Sequence, residues 1–598
     1  MQKESGSTSN ADHQALAENL AKIAAKSQEI LNEFAQNQGQ AGSEDIDPLK
    51  IGDSFLKLTA AMMADPSSIL KAQLSLAKNY MDLWRNMAEK WMGKPVEPVP
   101  EPVPKTDKKD RRFNHPDWTD NPLFDYIKQS YLLTADWLKD TVADTHGLSG
   151  KDAQKVEFYT KQFIDAMSPS NFLMTNPAAL RETIDSKGEN LVRGLENMLA
   201  DFKAGKGKLK IRHTDEAAFE VGVNVATSPG KVIFQNELIQ LIQYTPTTKT
   251  AYKRPLLIFP PWINKFYILD LTPRNSFIKW MVAKGYTLFV VSWVNPDEKL
   301  SQKTFRDYMV DGIMASLDAI ELATGENEVT AIGYCIGGTL LEIALSYMAQ
   351  KGDERIKAAT FFTTQVDFSE PGELAVFIDD DQINALEEKM AETGYLDTSE
   401  MQITFNMLRA NDLIWSYVVN NYLMGKEPYP FDLLYWNSDS TRLPSALHIF
   451  YLREMYLHNR LVQPGGITID DVPIDLRKIE IPVYIQSGRE DHIAPYASIF
   501  KAKKLYSGPT RFILAGSGHI AGVVNPPAAK KYKYWVNEAQ PNDLEQWIDG
   551  ATEHPGSWWP DWHKWLSRLS GRRVPARQPG DGALKPIEDA PGSYVKIK

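Results

Sequence analysis

The stretch Val329-Thr-Ala-Ile-Gly-Tyr-Cys-Ile-Gly-Gly-Thr-Leu340 decides how this chain folds. An apolar, β-branched run ends in Gly-x-Cys-x-Gly, and a helical pattern continues from Gly338 to Gln350, so the stretch predicts a strand, a sharp turn and a helix. This order is typical of a nucleophile elbow, with Cys335 in the place that most such elbows give to Ser. Gly333 and Gly337 fit the turn, because it leaves no room for side chains there. The alternative interpretation is a buried structural cysteine at a tight turn.

Cys335 would lie at the N-terminus of the following helix. There the helix dipole and the free N–H groups favour a thiolate, and the N–H of Ile336 would face the oxyanion of an acyl-transfer intermediate. Cys335 is also the only cysteine among 598 residues. A single thiol excludes intrachain disulfides and multi-thiolate zinc sites, so nucleophilic catalysis is the chemistry we expect from it.

Composition narrows the possible functions further. The chain is 43% apolar and 11% aromatic, which is ample for a large core and, at this length, for more than one domain. Its formal charge is −11, and the only basic cluster is the short stretch at 105–112, so nucleic acid is not an expected partner. The N-terminus has no apolar signal-like run, and no segment is apolar enough to span a bilayer. We therefore expect a soluble, cytoplasmic protein without a transmembrane segment.

We expect four consecutive parts. Residues 1–95 form a helical, partly disordered N-terminal region, 96–112 a proline-rich linker, 113–215 a helical N-terminal domain and 216–598 the catalytic domain. A helix announced by Asp65-Pro66-Ser67 carries a stripe of Met, Trp and Leu side chains. Such a stripe favours core packing or self-association over docking to a protein or an apolar surface.

The sequence of the catalytic domain, residues 216–598, predicts an α/β fold. Near-continuous apolar runs alternate with helical segments, which indicates a mostly parallel sheet covered on both faces. The six predicted strands are 256–259, 287–293, 329–334, 358–364, 483–487 and 511–514. An insertion at about 369–475, too long for a crossover, predicts a cap or lid over the site. The tail after Arg573 is expected to be irregular.

A thiol nucleophile needs a base and a residue that orients the base. Asp491 and His519 each follow a predicted strand after the elbow, and the order nucleophile, acid, histidine is that of the α/β-hydrolase fold. His492 adjoins Asp491 and competes for the role of base, but the Ser-Gly-His after the last predicted strand favours His519. Asp491 could alternatively be a turn-capping residue.

The second oxyanion donor should come from the loop Pro260-Pro-Trp-Ile-Asn-Lys265. Proline has no N–H, so the donor must be Trp262 or Ile263, and we prefer Ile263. Dinucleotide-binding loops, Walker-type loops and metal-ligand clusters are absent from the sequence, so we expect no cofactor and no metal.

Several longer motifs stand in the sequence. They are Gly333-Tyr-Cys-Ile-Gly-Gly, Pro260-Pro-Trp-Ile-Asn-Lys with Tyr267-Ile-Leu-Asp-Leu, Ser292-Trp-Val-Asn-Pro, Trp436-Asn-Ser-Asp-Ser-Thr, Asp491-His-Ile-Ala-Pro, Gly518-His-Ile-Ala-Gly with Gly556-Ser-Trp-Trp-Pro, Tyr126-Ile-Lys-Gln-Ser-Tyr and Ser168-Pro-Ser-Asn-Phe. Taken together, these motifs resemble the polyhydroxyalkanoate synthases, and the resemblance runs from about residue 111 to 560. The length favours the class I type, which acts without a separate activating subunit.

The resemblance implies a role for each site residue. Cys335 would carry the growing chain as a thioester, and His519 would deprotonate it. Asp491 would either activate the 3-hydroxyl of the incoming acyl group or orient His519. The implied substrate is a short-chain (R)-3-hydroxyacyl-CoA such as 3-hydroxybutyryl-CoA, with release of CoA. A homodimer at cytoplasmic polyester granules is implied too, and granule-associated proteins are further candidate partners for the N-terminal region.

Two other functions remain open at this point. A thioesterase or an intracellular polyester depolymerase would share the elbow and the acid–histidine order, with water rather than a hydroxyl as acceptor. A non-catalytic granule-binding protein would use its N-terminal helices and leave the elbow inert.

Overall fold

The computed structural model describes residues 5–38, 51–92, 110–145, 147–148, 150–206 and 208–598. The chain forms two compact units, Met1–Asp215 with Thr404–Tyr429, and Glu216–Ile403 with Pro430–Lys598. The predicted insertion at 369–475 is thus divided between the two units. Most of the predicted proline-rich linker, residues 96–109, lies outside the described residues.

The first unit is helical. Its α-helices are Ser5–Gln38, Ile51–Ala64, Pro66–Trp91, Asp117–Asp120, Pro122–Ala143, Gly150–Ala166, Pro177–Asp185 and Glu189–Ala204. The returning segment adds two π-helical turns, Asn411–Trp415 and Val418–Leu423, and it packs tightly on the last of these helices. A Cβ added at Gly194 would lie 1.8 Å from the Tyr422 carbonyl oxygen. The buried Asp201 carboxylate accepts a hydrogen bond from the Tyr422 hydroxyl at 2.7 Å.

The second unit is built on an 11-stranded sheet. Its strands are β1 (Gly230–Gln235), β2 (Ile239–Tyr244), β3 (Leu256–Phe259), β4 (Leu288–Trp293), β5 (Val329–Tyr334), β6 (Ile356–Phe362), β7 (Val483–Gly488), β8 (Thr510–Ala515), β9 (Lys533–Val536), β10 (Thr552–Pro555) and β11 (Glu588–Asp589). Their order across the sheet is β10-β9-β8-β7-β6-β5-β3-β4-β2-β1-β11.

Strands β4, β3, β5, β6, β7 and β8 pair in parallel and form the centre of the sheet. They are the six strands that the apolar runs predict, with ends that differ by at most two residues. Each of β3, β4, β5 and β7 is buried along its whole length. Such strands must be covered on both faces, and the buried apolar side chains accordingly form two large clusters.

Helices cover the two faces of this sheet and make up most of the insertion. The α-helices are Phe277–Ala283, Phe305–Asp307, Ala315–Thr324, Ile336–Lys351, Asp380–Thr393, Thr398–Leu408, Asp432–Ser438, Ser445–Phe450, Tyr496–Lys501, Leu544–Asp549 and Trp559–Ser567, with π-helical turns at Tyr308–Met314 and Tyr451–Leu457. The helix Thr398–Leu408 contains the point at which the two units divide.

The expectation of an irregular tail after Arg573 is wrong at two places. Arg573–Pro575 pairs with Thr250–Tyr252, and β11 extends the edge of the main sheet by pairing antiparallel with β1. Both stretches are too short for hydrophobic periodicity to reveal them, because two or three residues carry no recognisable pattern. No helix among the described residues is long and apolar enough to cross a membrane.

Candidate active site

Cys335 stands between β5 and the helix Ile336–Lys351, as the motif predicts. Its backbone has φ 53° and ψ −126°, a conformation that a residue with a side chain rarely adopts. The strain is held by backbone hydrogen bonds on both sides of the residue. The Cys335 N–H donates to the Phe362 carbonyl at 2.9 Å, and the Cys335 carbonyl accepts from Gly338 at 2.9 Å. The turn therefore holds the half-buried thiol at the carboxyl end of the sheet.

Two glycines permit this turn. A Cβ at Gly333 would lie 2.3 Å from the Cα of Gly338, and one at Gly337 would lie 2.4 Å from the Phe259 carbonyl oxygen. Both contacts are with backbone atoms, which cannot move aside as a flexible side chain can. The second contact also shows that the end of β3 lies directly against the start of the helix Ile336–Lys351, the nucleophile helix.

His519 and Asp491 meet although 27 residues separate them, since they follow the neighbouring strands β8 and β7. His519 Nδ1 lies 2.7 Å from Asp491 Oδ2. The other carboxylate oxygen, Oδ1, accepts the N–H groups of Ile493 and Ala494, each at 2.9 Å. Asp491 is thus both the turn-capping residue and the partner of His519, two roles that the sequence presented as alternatives.

The charges around His519 favour its protonated form. Burial alone would lower the pKa of His519, but the Asp491 carboxylate and the Cys335 side chain, both hydrogen-bonded to the ring, raise this pKa well above its usual value. Since Asp491 takes Nδ1, Nε2 is the ring nitrogen left for the Cys335 thiol. The three side chains form a chain from thiol to imidazole to carboxylate, the arrangement that activates a nucleophile by an adjacent base.

The two predicted oxyanion donors are backbone N–H groups, one at the start of the helix Ile336–Lys351 and one in the loop after β3. Ile336 is the first residue of its helix, and within the described residues its N–H donates to no protein acceptor. The same is true of the N–H groups of Trp262 and Ile263 in the loop after β3. Strands β3 and β5 pair in parallel with Phe259 opposite Gly333, so this loop leaves the sheet beside the elbow.

Tyr451 and Tyr456 also lie close to the thiol, and sequence reasoning missed both. Tyr451 is buried and Tyr456 is half-buried. Burial, then the Tyr456 hydroxyl and the charge of Cys335, raise the pKa of Tyr451 well above 10. Burial and the charge of Cys335 likewise raise the pKa of Tyr456. Their ring centroids are 5.3 Å apart. Both phenols consequently stay protonated.

A π-helical turn explains why this pair was missed. Five residues along an α-helix amount to about 140° around the axis, which would place the two tyrosines on different faces. The segment Tyr451–Leu457 is instead π-helical, with i→i+5 hydrogen bonds that bring residues five apart nearly above one another. A run of Tyr-x-x-x-x-Tyr gives no such signal in advance. Among the described residues, no group of three or more His, Cys, Asp or Glu side chains is placed to hold a metal ion.

Comparison with known proteins gives two family matches and a set of close relatives. Residues 109–281 match the family described as poly-beta-hydroxybutyrate polymerase (PhaC) N-terminus, and residues 257–526 match the alpha/beta hydrolase fold. A poly(3-hydroxyalkanoate) polymerase of Methylorubrum extorquens is 51% identical over 93% of this chain and 91% of its own length. Poly(3-hydroxyalkanoate) polymerase subunits of Rhizobium meliloti (strain 1021) and Cupriavidus necator are 49% and 42% identical, covering 94% and 91% of this chain and the same shares of their own.

Solved structures with a similar arrangement are more distant. A thioesterase domain from the curacin biosynthetic pathway is 8% identical, with a TM-score of 0.30, over 49% of this chain and 95% of its own. An enol-lactonase from Burkholderia xenovorans LB400 is 14% identical, with a TM-score of 0.25, over 48% of this chain and 91% of its own.

Proposed function

Since the chain belongs to the family of poly(3-hydroxyalkanoate) polymerases, we propose that it builds its polyester on Cys335 through a covalent thioester. The chain is an enzyme of the acyltransferase type with an α/β-hydrolase fold. The relatives favour this function over the thioesterase or depolymerase and over the non-catalytic granule-binding protein. The observation that supports the thioester best is the contact of the only thiol in the chain with a histidine that a buried carboxylate orients.

Loading of the enzyme uses the thiol and the imidazole. His519 takes the Sγ proton of Cys335, and the thiolate attacks the acyl carbonyl of the hydroxyacyl-CoA. The oxyanion that forms is stabilised by the N–H groups of Ile336 and Ile263. The carbon–sulfur bond to CoA then breaks, and CoA leaves as a thiol after taking up the proton. One thioester replaces another, so the step is nearly balanced in energy.

Elongation needs a hydroxyl instead of a thiol as the attacking group. The 3-hydroxyl of a second hydroxyacyl group attacks the Cys335 thioester and gives its proton to His519. A new ester bond forms, the carbon–sulfur bond to Cys335 breaks, and Sγ takes up the proton from His519. The insertion supplies Tyr451 and Tyr456 beside the thiol, and we propose that its aromatic packing keeps water from replacing the hydroxyl.

Asp491 acts in this scheme by orienting His519, not by activating the substrate hydroxyl. Its side chain is fully buried, Oδ2 is engaged by His519, and Oδ1 is engaged by two backbone N–H groups. A carboxylate so committed has no exposed oxygen to receive a proton from the substrate. We therefore expect Asp491→Asn to slow acylation and elongation by similar factors.

A comparison of the two half-reactions tests this assignment. Acylation is followed as the first turnover of CoA release, and elongation as polymer formed per acylated enzyme. An Asp491→Asn variant that acylates at the wild-type rate but fails to elongate would contradict the orienting role. Glu490→Gln, one residue away, serves as the control and should change neither step.

Loss of the thiol tests the thioester itself. Wild-type enzyme given 3-hydroxybutyryl-CoA should release CoA and form insoluble polymer, whereas Cys335→Ala should do neither. Release of soluble 3-hydroxybutyrate in place of polymer would identify a hydrolase. Polymer formation by Cys335→Ala would overturn the thioester mechanism.

We propose in addition that the enzyme is of the class I type, uses short-chain (R)-3-hydroxyacyl-CoA, and works as a homodimer on polyester granules in the cytoplasm. The length of the chain supports the class. Exposed apolar side chains on the helix Pro66–Trp91 support contact with an apolar surface such as the polyester or granule-associated proteins; these are Leu70, Leu74 and Met81, which are 57%, 62% and 67% exposed.

Replacing these three residues by Gln should move the enzyme from the granule pellet to the supernatant without changing its rate of CoA release. A variant that stays with the granules would contradict this role. Sedimentation velocity tests the dimer, and a comparison of 3-hydroxybutyryl-CoA with 3-hydroxydecanoyl-CoA tests the chain length.

A further inference from the structure

The loop after β3, residues 262–267, is bonded to the segment 436–441 of the insertion through three of its carbonyl groups. Thr441 N–H donates to the Ile263 carbonyl at 3.1 Å. Trp436 Nε1 donates to the Lys265 carbonyl at 2.7 Å. The Thr441 hydroxyl donates to the Trp262 carbonyl. The backbone of the loop is therefore held from one side by a single segment.

A buried ion pair joins the same two pieces of chain. Lys265 Nζ lies 2.7 Å from Asp439 Oδ1, and the two side chains are only 2% and 8% exposed. The Tyr267 hydroxyl donates to Asp439 Oδ2 at 2.9 Å. Removing one member of a buried ion pair strongly destabilises the fold, because the other member is left as a buried, unpaired charge. The loop and the segment are consequently fixed to one another as a rigid piece of the site.

These bonds set the direction of the Ile263 N–H. The peptide group between Trp262 and Ile263 is planar and trans, so its carbonyl oxygen and its N–H point to opposite sides. Because the Trp262 carbonyl points at Thr441, the Ile263 N–H points away from the segment 436–441. Within the described residues this N–H donates to no protein acceptor, and the loop begins beside the elbow, where β3 adjoins β5.

We propose that Thr441 is a positioning residue, whose hydroxyl holds the Trp262–Ile263 peptide group so that the Ile263 N–H donates to the oxyanion formed at Cys335. The inference rests on the proposed thioester chemistry. Thr441 touches neither substrate nor thiol in this scheme, and it acts only through the peptide group. A hydrogen bond made ready before the reaction needs no reorganisation in the transition state.

Thr441→Val tests the inference because it removes the hydroxyl and keeps the shape of the side chain. Loss of one oxyanion donor costs about 10²- to 10³-fold in kcat, and a misdirected donor should cost part of that. We expect Thr441→Val to lower kcat for acylation by about 10- to 100-fold with KM unchanged. Thr441→Ser should stay within about threefold of the wild type. Ser440→Ala is the matched control, since Ser440 bonds to the Asn264 side chain and to no carbonyl of the 262–263 pair.

Inhibition separates a positioning role from a general loss of structure. 3-Hydroxybutanal adds to the thiol to give a hemithioacetal, in which the carbon–sulfur bond forms and the thiol proton moves to the aldehyde oxygen. This adduct needs the oxyanion donors, whereas S-(3-hydroxybutyl)-CoA, a thioether without the carbonyl, does not. Thr441→Val should weaken inhibition by the aldehyde by the same factor as kcat and leave inhibition by the thioether unchanged.

Equal kcat values for Thr441→Val and wild type, or equal weakening of both inhibitors, would overturn the inference. If Thr441→Val does not fold, Thr441→Ala, which also lacks the hydroxyl and adds no bulk, is measured in its place. Failure of the proposed function is distinct, because then the wild type itself would carry no acyl group on Cys335.

Discussion

Glu342 lies on the nucleophile helix, in the core of the sheet unit, and it should make the enzyme less stable as the pH rises. Its side chain is buried, and burial raises its pKa from 4.5 to about 8, although a hydrogen bond from the Tyr506 hydroxyl to Oε1 opposes the shift. Oε2 has no hydrogen-bond partner among the described residues. The folded protein therefore binds a proton at pH values where the unfolded chain has lost it.

The size of the effect follows from linkage. Between pH 4.5 and 8 the folded state holds one more proton at Glu342, so the free energy of unfolding falls by about 1.4 kcal/mol per pH unit. From pH 5 to pH 8 the loss comes to about 3 to 4 kcal/mol, because the slope flattens near both ends of the interval. Glu342→Gln removes this titration and still offers an oxygen to Tyr506. Its free energy of unfolding relative to the wild type should thus rise by the same amount over that interval.

The assay is equilibrium unfolding in urea at pH 5, 6, 7 and 8 for wild type and variant, with the shift in midpoint converted by the m-value. Glu354→Gln, whose side chain is 83% exposed, is the control and should show no trend with pH. A constant difference between Glu342→Gln and the wild type from pH 5 to pH 8 would refute the reasoning.

Three further predictions follow from particular residues. Burial lowers the pKa of His448 to about 4, so the free energy of unfolding of the wild type should fall by about 1.4 kcal/mol per pH unit from pH 6.5 towards pH 4. In urea unfolding, His448→Gln should not show this loss. The control His458→Gln, which replaces an exposed histidine, should still show it. Tyr456→Ala should raise the ratio of soluble 3-hydroxybutyrate to polymer, because it opens a space for water beside Cys335. Tyr456→Phe should keep the wild-type ratio. Equal ratios in all three enzymes would contradict a water-excluding role. Gly337→Ala should abolish CoA release, because its Cβ would collide with backbone carbonyls. The control is Gly150→Ala, whose Cβ would have no atom within 4 Å, and it should leave CoA release unchanged. Full activity of Gly337→Ala would mean that the turn can relax.

The centre of the sheet could be predicted because its strands are buried on both faces. A strand such as Val329–Tyr334 is apolar along its length, and that composition can be recognised in the sequence without knowing which strands pair with it. The antiparallel strands β1 and β9 were missed for the opposite reason. Lys231 and Gln235 interrupt β1, and Lys533 begins β9 with an exposed side chain, so neither run differs clearly from a loop.

Some residues of the site could be predicted from local sequence, whereas others depend on the tertiary fold. Cys335, Asp491 and His519 each follow a strand, and the carboxyl ends of parallel strands meet at one edge of the sheet, so their types and order predicted them. Tyr451 and Tyr456 required a π-helical turn, and Thr441 required the folded position of a segment about 180 residues beyond the loop that it holds. Neither fact is encoded in a short motif.

The central claim is that Cys335 carries the acyl group, and peptide mass spectrometry after rapid acid quench tests it most directly. Wild-type enzyme is mixed with one equivalent of 3-hydroxybutyryl-CoA and digested, and the peptide that contains residue 335 is examined as a function of time. The account predicts a 3-hydroxybutyryl adduct that appears together with free CoA and disappears when more substrate is added, since no other cysteine can hold it. Release of CoA without any adduct on this peptide would contradict the account.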